Sequence, residues 1–168
     1  RQEDISFNGW AIEARIYAED PFRNFLPSIG RLTRYLPPES SPNIRVDSGV
    51  VEGGEISMFY DPMIAKLVAT GETRDVAISY MRDALDAYYI RGVSHNIPFL
   101  NAVMTHPRFI SGDLTTAFID ETYGDGFSLA HMAQDDPTTF VAVAAVARDI
   151  GERRQSDGGT YVATIRDG

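Results

Sequence analysis

Gly9-Trp10-Ala11-Ile12-Glu13-Ala14-Arg15-Ile16-Tyr17-Ala18-Glu19-Asp20-Pro21 alternates at a period of two. Ile12, Ala14 and Ile16 fall on one face of a strand, and Ala11, Glu13, Arg15 and Tyr17 on the other. The first face is plain core. The second places an arginine between a carboxylate and a phenol, each two residues away. A carboxylate at that spacing can fix the guanidinium plane and limit the rotamer freedom lost when an anion binds. Such an arginine could clamp a small planar oxyanion. Without other information, an exposed strand arginine in a cross-strand ion pair is the commoner case for such a pattern, and spacing alone favours it.

Outward from this strand, the first 71 residues read as β-rich. Residues 30–36, 43–51, 55–60 and 63–70 have strand character, punctuated by Pro37-Pro38, Gly53-Gly54 and Asp61-Pro62. Lys66 lies inside the nearly continuous apolar run 63–70 and is expected to snorkel to a sheet edge. Tyr60-Asp61-Pro62 reads as a turn in which the Asp61 carboxylate bonds backbone amides ahead of it. The period then changes. Thr73 is a plausible N-cap with Asp75 in the first turn, and Ala77, Tyr80, Met81, Ala84, Leu85 and Tyr88 recur at helical spacing, which predicts an amphipathic helix over 73–88. Residues 90–93 read as a connector. Asn96 can cap a second helix that buries Ile97, Leu100, Val103 and Met104 and ends before Pro107; a short third helix is expected over 116–122.

Residues 124–136 are the candidate linker. Asp136 and Pro137 then open a helix that is apolar on a wide arc over 140–150 and is expected to need a partner surface; 160–166 reads as a strand. The fold class is therefore α+β. A β-rich, mostly antiparallel domain with packed helices is expected over residues 1–124, and a linker, helix and first strand of a second domain over 125–168. The chain opens at Arg1 and closes on Asp167-Gly168, a hairpin-turn dipeptide. It is expected to be a segment of a longer protein, carrying part of a site.

A formal net charge of −9 argues against a nucleic-acid or anionic-membrane surface, since both demand a basic face. With no cysteine there is no thiol nucleophile or Cys-type zinc site. His95, His106 and His131 have no metal-ligand spacing, the acidic residues form no calcium loop, and no glycine pair sits in a strand–turn–helix phosphate loop, so no metal site is expected.

Several blocks in order carry a resemblance. Residues 9–21 are followed by Phe25-Leu26-Pro27-Ser28-Ile29-Gly30, Arg45-Val46-Asp47-Ser48-Gly49, Tyr60-Asp61-Pro62-Met63-Ile64-Ala65-Lys66-Leu67, and Ile90-Arg91-Gly92-Val93-Ser94-His95-Asn96. Together, over residues 8–123, the chain resembles the C-terminal subdomain of biotin carboxylase. Its tail is similar to that of acyl-CoA carboxylase α subunits of the propionyl-CoA type. Trp10 and Ala14 stand where many relatives have His and Cys, without replacing the arginine between them.

The resemblance implies a ligase that uses ATP, with Mg or Mn, and bicarbonate to carboxylate a ureido nitrogen of biotin on a carrier domain. Arg15 aligns with the family's catalytic arginine, which meets the ureido oxyanion, with Glu13 and Asp61 as orienting groups. Arginine suits that task because it stays protonated beside a strong base and donates in a planar fork. Thr116 aligns with the adenine end of the nucleotide site, and Arg45 and Met63 with a homodimer interface. The implied partners are the ATP-grasp part of the same polypeptide, the biotin carrier domain and a carboxyltransferase β subunit. The compartment is cytoplasmic in a bacterium or the mitochondrial matrix in a eukaryote. The ATP-grasp lysines and a Met-Lys-Met biotin attachment motif are not in this chain, so the segment alone is expected to bind no cofactor tightly and to be inactive. The alternative is a non-catalytic assembly module that retains the fold.

Overall fold

The alternation at residues 9–21 forms strand β1 (Trp10–Tyr17) in the computed structural model, which describes residues 1–132 and 137–157. Ala14 and Ile16 are buried, while Glu13 and Arg15 face outward, as the period of two requires. The chain continues through β2 (Glu19–Asp20), β3 (Leu26–Pro27), β4 (Gly30–Arg31), β5 (Arg34–Leu36), β6 (Ile44–Ser48), β7 (Glu55–Ile56) and β8 (Met63–Gly71). Then follow α1 (Arg74–Asp86), β9 (Tyr89–Arg91), α2 (Ile97–Thr105), α3 (Pro107–Ser111), α4 (Phe118–Tyr123) and α5 (Pro137–Asp157). Asp136 and the strand expected over 160–166 lie outside the described residues.

The main sheet has the order β1-β8-β6, all antiparallel. The central strand is thus β8, the nearly continuous apolar run. Lys66 is not at a sheet edge: it sits mid-strand, directly between Arg15 on β1 and Asp47 on β6. Strand alternation leaves it on the outer face, where it is half-buried. On the inner face Ile12, Ala69 and Ile44 form one cross-strand row, and Ala14, Leu67 and Val46 the next.

Other expectations are corrected by pairing. The run 30–36 is two short strands, because β4 pairs with β7 whereas β5 pairs with β9. Between them Leu32 is fully buried. The supposed connector at 90–93 begins with β9, since it has β5 as a partner. The strand expected over 55–60 stops at Ile56. Met58, Phe59 and Tyr60 are 69%, 84% and 81% exposed in a turn, with neither ladder nor core to hold them extended. Pro107 does not merely end α2; it opens α3, where its missing N–H is harmless.

Helix α1 starts where the capping signal places it: the Val76 N–H donates to Thr73 Oγ1 at 3.3 Å. Its inner face is Ala77, Ile78, Met81, Ala84 and Leu85; Tyr80, expected inward, is half-exposed. Replacing Thr73 with alanine is expected to destabilise the domain by about 1 kcal/mol through the lost cap. Thermal melting checks this, and an unchanged midpoint would refute it.

The first compact unit runs Arg1–Met132 and takes in the residues after α4. Phe99 on α2 explains why. It packs edge-on against Phe25, Tyr123 and Phe127, so the residues after α4 belong to the same core. In the second unit, α5 begins at Pro137 as expected and runs on to Asp157, with Val141, Val143, Val146 and Ile150 exposed.

Candidate functional site

The outer face of the main sheet carries the polar residues in rows. Arg15, Lys66 and Asp47 share one row; Glu13, Val68 and Arg45 share the next. Arg15 Nε donates to Glu13 Oε1 at 3.2 Å, which is the intrastrand pair that the spacing proposes. The Arg15 side chain remains 58% exposed. Its pKa is raised from the ordinary value, first by the Glu13 hydrogen bond and then by the Tyr17 phenol. The guanidinium is thus held by one edge and open to solvent, a geometry that can receive an anion.

Arg45 pairs with Asp47 along β6 at 3.2 Å. That contact draws Asp47 toward β6's own arginine, and among the described residues Lys66 makes no ion pair within 4.0 Å. Two cations therefore lie side by side on neighbouring strands. Met63, opposite Tyr17, begins β8 beyond a register shift at Ile16/Tyr17. Such a bulge twists the strand and re-aims the side chains next to it.

Asp61 does what the turn reading expects: its Oδ1 accepts the Met63 N–H at 3.1 Å. It makes no hydrogen bond to Arg15; Glu13 alone of the two proposed orienting carboxylates does. Its charge is felt by Glu19, whose pKa is raised by burial first and by Asp61 second. The turn also brings the Pro62 carbonyl to accept the Ala18 N–H at 2.9 Å, which anchors the far end of β1. Thr116 is exposed in the turn before α4. Among the described residues no group of His, Asp and Glu could hold a metal ion.

Asn96 was legible in the sequence only as a helix cap. The structure gives it another task. It stands at the N-cap of α2 but makes no side-chain cap bond. Its carboxamide reaches β1: Nδ2 donates to the Arg15 carbonyl at 3.0 Å, and Oδ1 accepts the Tyr17 N–H at 2.9 Å. No local signal could reveal this, because the partners are about 80 residues apart in the chain.

His95, next to it, is the histidine with a perturbed environment. Its Nδ1 is buried without a hydrogen-bond partner, and burial lowers its pKa below the ordinary 6.5. The unfolded chain accepts a proton there more readily than the folded one. Stability should therefore be full above pH 6.5 and fall as pH drops through that value toward the lower folded pKa. Denaturant midpoints at pH 7.5 and 5.5 check this. His95→Gln should reduce the difference, and an unreduced difference would refute the assignment.

Known proteins match this chain closely. The family model for the biotin carboxylase C-terminal domain matches residues 13–121. The propionyl-CoA carboxylase alpha chain of Ruegeria pomeroyi is 50% identical over 174 residues, spanning 92% of this chain and 26% of its own length. The mitochondrial propionyl-CoA carboxylase alpha chain of Mus musculus is 49% identical over 146 residues, spanning 86% of this chain and 20% of its own. The Hydrogenobacter thermophilus 2-oxoglutarate carboxylase biotin carboxylase domain dimer, solved with MgADP, ADP and bicarbonate, superposes with a TM-score of 0.68 at 44% identity, over 71% of this chain and 26% of that one. The chain thus spans about a fifth to a quarter of the length of these curated relatives. Its mixed α/β fold with antiparallel sheets, its outward arginine strand and the family match over residues 13–121 agree: this chain belongs to the family of biotin carboxylase C-terminal domains.

Proposed function

We propose that this domain works in a biotin-dependent acyl-CoA carboxylase of the propionyl-CoA type, where it supplies the cation that faces the ureido oxygen of carrier-bound biotin. The observation that carries the reading is Arg15, exposed on the outer face of the sheet, held at Nε by Glu13 and kept charged by Glu13 and Tyr17. When bound, biotin supplies the ureido nitrogen that is carboxylated with ATP and bicarbonate. Arg15 contributes a donor already oriented where negative charge develops, so little reorganisation is needed at the moment of reaction. Glu13 fixes its plane. Asp61 acts at one remove, through the turn that sets Pro62 against Ala18 and so places the end of β1.

The remaining assignments rest on the family. Thr116 belongs to the adenine end of a nucleotide site whose ATP, with Mg or Mn, is held by the ATP-grasp part of the same polypeptide. Arg45 and Met63 belong to a homodimer contact. The biotin carrier domain and a carboxyltransferase β subunit are the other partners, in bacterial cytoplasm or in a mitochondrial matrix. This segment alone binds neither ATP nor biotin tightly and turns nothing over.

The test is the complete carboxylase carrying Arg15→Ala, assayed both for biotin carboxylation and for bicarbonate-dependent ATP hydrolysis. Carboxylation should be lost selectively. Near-normal carboxylation would instead favour the non-catalytic assembly module, a reading supported by the exposed apolar tip at Met58, Phe59 and Tyr60.

A further inference from the structure

Among the described residues, Asn96 is the one buried polar side chain, 6% exposed. Burying an amide is costly unless both its ends are satisfied. Here both are satisfied by β1, and the asparagine's own main chain adds a third bond, from the Asn96 N–H to the Tyr17 carbonyl at 3.1 Å.

The place of these bonds matters. Among the described residues, β1 has β8 on one side and no strand of the main sheet on the other. An edge strand has a row of unpaired N–H and C=O groups. The register shift at Ile16/Tyr17 interrupts its ladder with β8 one residue beyond Arg15. The direction of the Arg15 side chain is therefore weakly determined by the sheet itself. Asn96 repairs this: its carboxamide presents one donor and one acceptor, as a peptide group of a neighbouring strand would, to the carbonyl of Arg15 and the N–H of Tyr17.

The support of Asn96 is itself stiff. Its carbonyl accepts the Leu100 N–H at 3.0 Å in the first turn of α2. Two residues earlier, the Ser94 N–H donates to Ser28 Oγ at 2.9 Å, and the Ser28 N–H donates to the Ala18 carbonyl at 2.8 Å. Asparagine is among the best N-cap residues. That this one leaves α2 uncapped by its side chain points to a constraint at β1 that outweighs the cap.

We propose that Asn96 is the positioning residue for Arg15: its side-chain amide clamps the main chain on both sides of Ile16 and thereby sets where the guanidinium points. The inference rests on the reading of Arg15 as the group facing biotin. Aspartate keeps the acceptor for Tyr17 but loses the donor to Arg15 and sets oxygen against oxygen. Alanine loses both bonds.

The experiment is a double-mutant cycle in the complete carboxylase, with ATP hydrolysis and biotin carboxylation measured on the same preparations. Asn96→Ala and Asn96→Asp should each lower kcat for carboxylation about tenfold or more, with KM for ATP and bicarbonate-dependent ATP hydrolysis unchanged. In the Arg15→Ala background the same substitutions should cost nothing further, because the group they position is gone. A purely architectural residue would lower both activities together and add its loss to that of Arg15→Ala; either result overturns the inference. If Asn96→Ala fails to fold, Asn96→Asp decides, and failure of both to fold makes Asn96 architectural and overturns it as well. If Arg15→Ala alone leaves carboxylation intact, the reading of Arg15 falls and the inference with it. If Arg15→Ala cripples carboxylation while the Asn96 variants do not, only the inference falls.

Discussion

Arg15→Ala should lower biotin carboxylation by the complete enzyme about 100- to 1,000-fold, the usual consequence of removing one preorganised oxyanion donor. The loss should appear in kcat rather than in KM for ATP, because the proposed role of this side chain, on the outer face of the sheet with Glu13 and Lys66, is toward biotin. Folding should be unaffected, since the guanidinium is exposed and its partner Glu13 is exposed too. Arg15→Lys keeps the charge but not the fork. It cannot hold one edge on Glu13 while offering the other in the same plane, so it should restore only part of the rate. Rates of carboxylation and ATP hydrolysis on the two variants, with melting curves, check this. Equal loss of both activities would place Arg15 in the architecture rather than in the chemistry.

Gly92→Ala should cost about 4 kcal/mol or more, among the larger effects a single substitution produces. Two causes combine. Gly92 has φ +104°, a conformation side chains rarely adopt, and a Cβ placed there would collide with the Arg31 carbonyl oxygen. That oxygen belongs to main chain, which cannot rotate away as a side-chain end can. The position joins β9 to the segment that carries Asn96, so relief of the clash would pull Asn96 from β1. Chemical denaturation of the variant tests the prediction; a loss below about 1 kcal/mol would show that the loop adapts freely.

The elements legible in the sequence share one property: their signal is local. The alternation over residues 9–21 and the three- and four-residue recurrence from Ala77 to Leu85 each report a face that must be buried, whatever buries it. The Thr73 cap and the Pro137 helix start are local in the same way, as is the Asp61 turn, whose bond to the Met63 N–H spans two residues. The Glu13–Arg15 pair belongs with them, being set by the spacing of a strand.

What failed was local signal asked to report partners. Residues 30–36 look like one strand because nothing within them says that their two ends pair with β7 and β9. Residues 57–60 have strand-like side chains but no neighbour to complete a ladder. Lys66 looked like an edge residue because a charge in an apolar run is usually at one; the β1-β8-β6 order puts it at the centre, half-buried on the outer face.

The sequence alone determined that the chain is α+β, where α1, α2 and α5 begin, and that an arginine stands beside a carboxylate on the polar side of a strand, because each follows from residues a few positions apart. Only the tertiary structure decided that this strand is an edge, that its ladder shifts one residue past Arg15, and that Asn96 closes the gap from about 80 residues away. The physical reason is the main chain's requirement for hydrogen-bond partners: every residue but proline carries the same donor and acceptor, so composition cannot say which distant group will meet them.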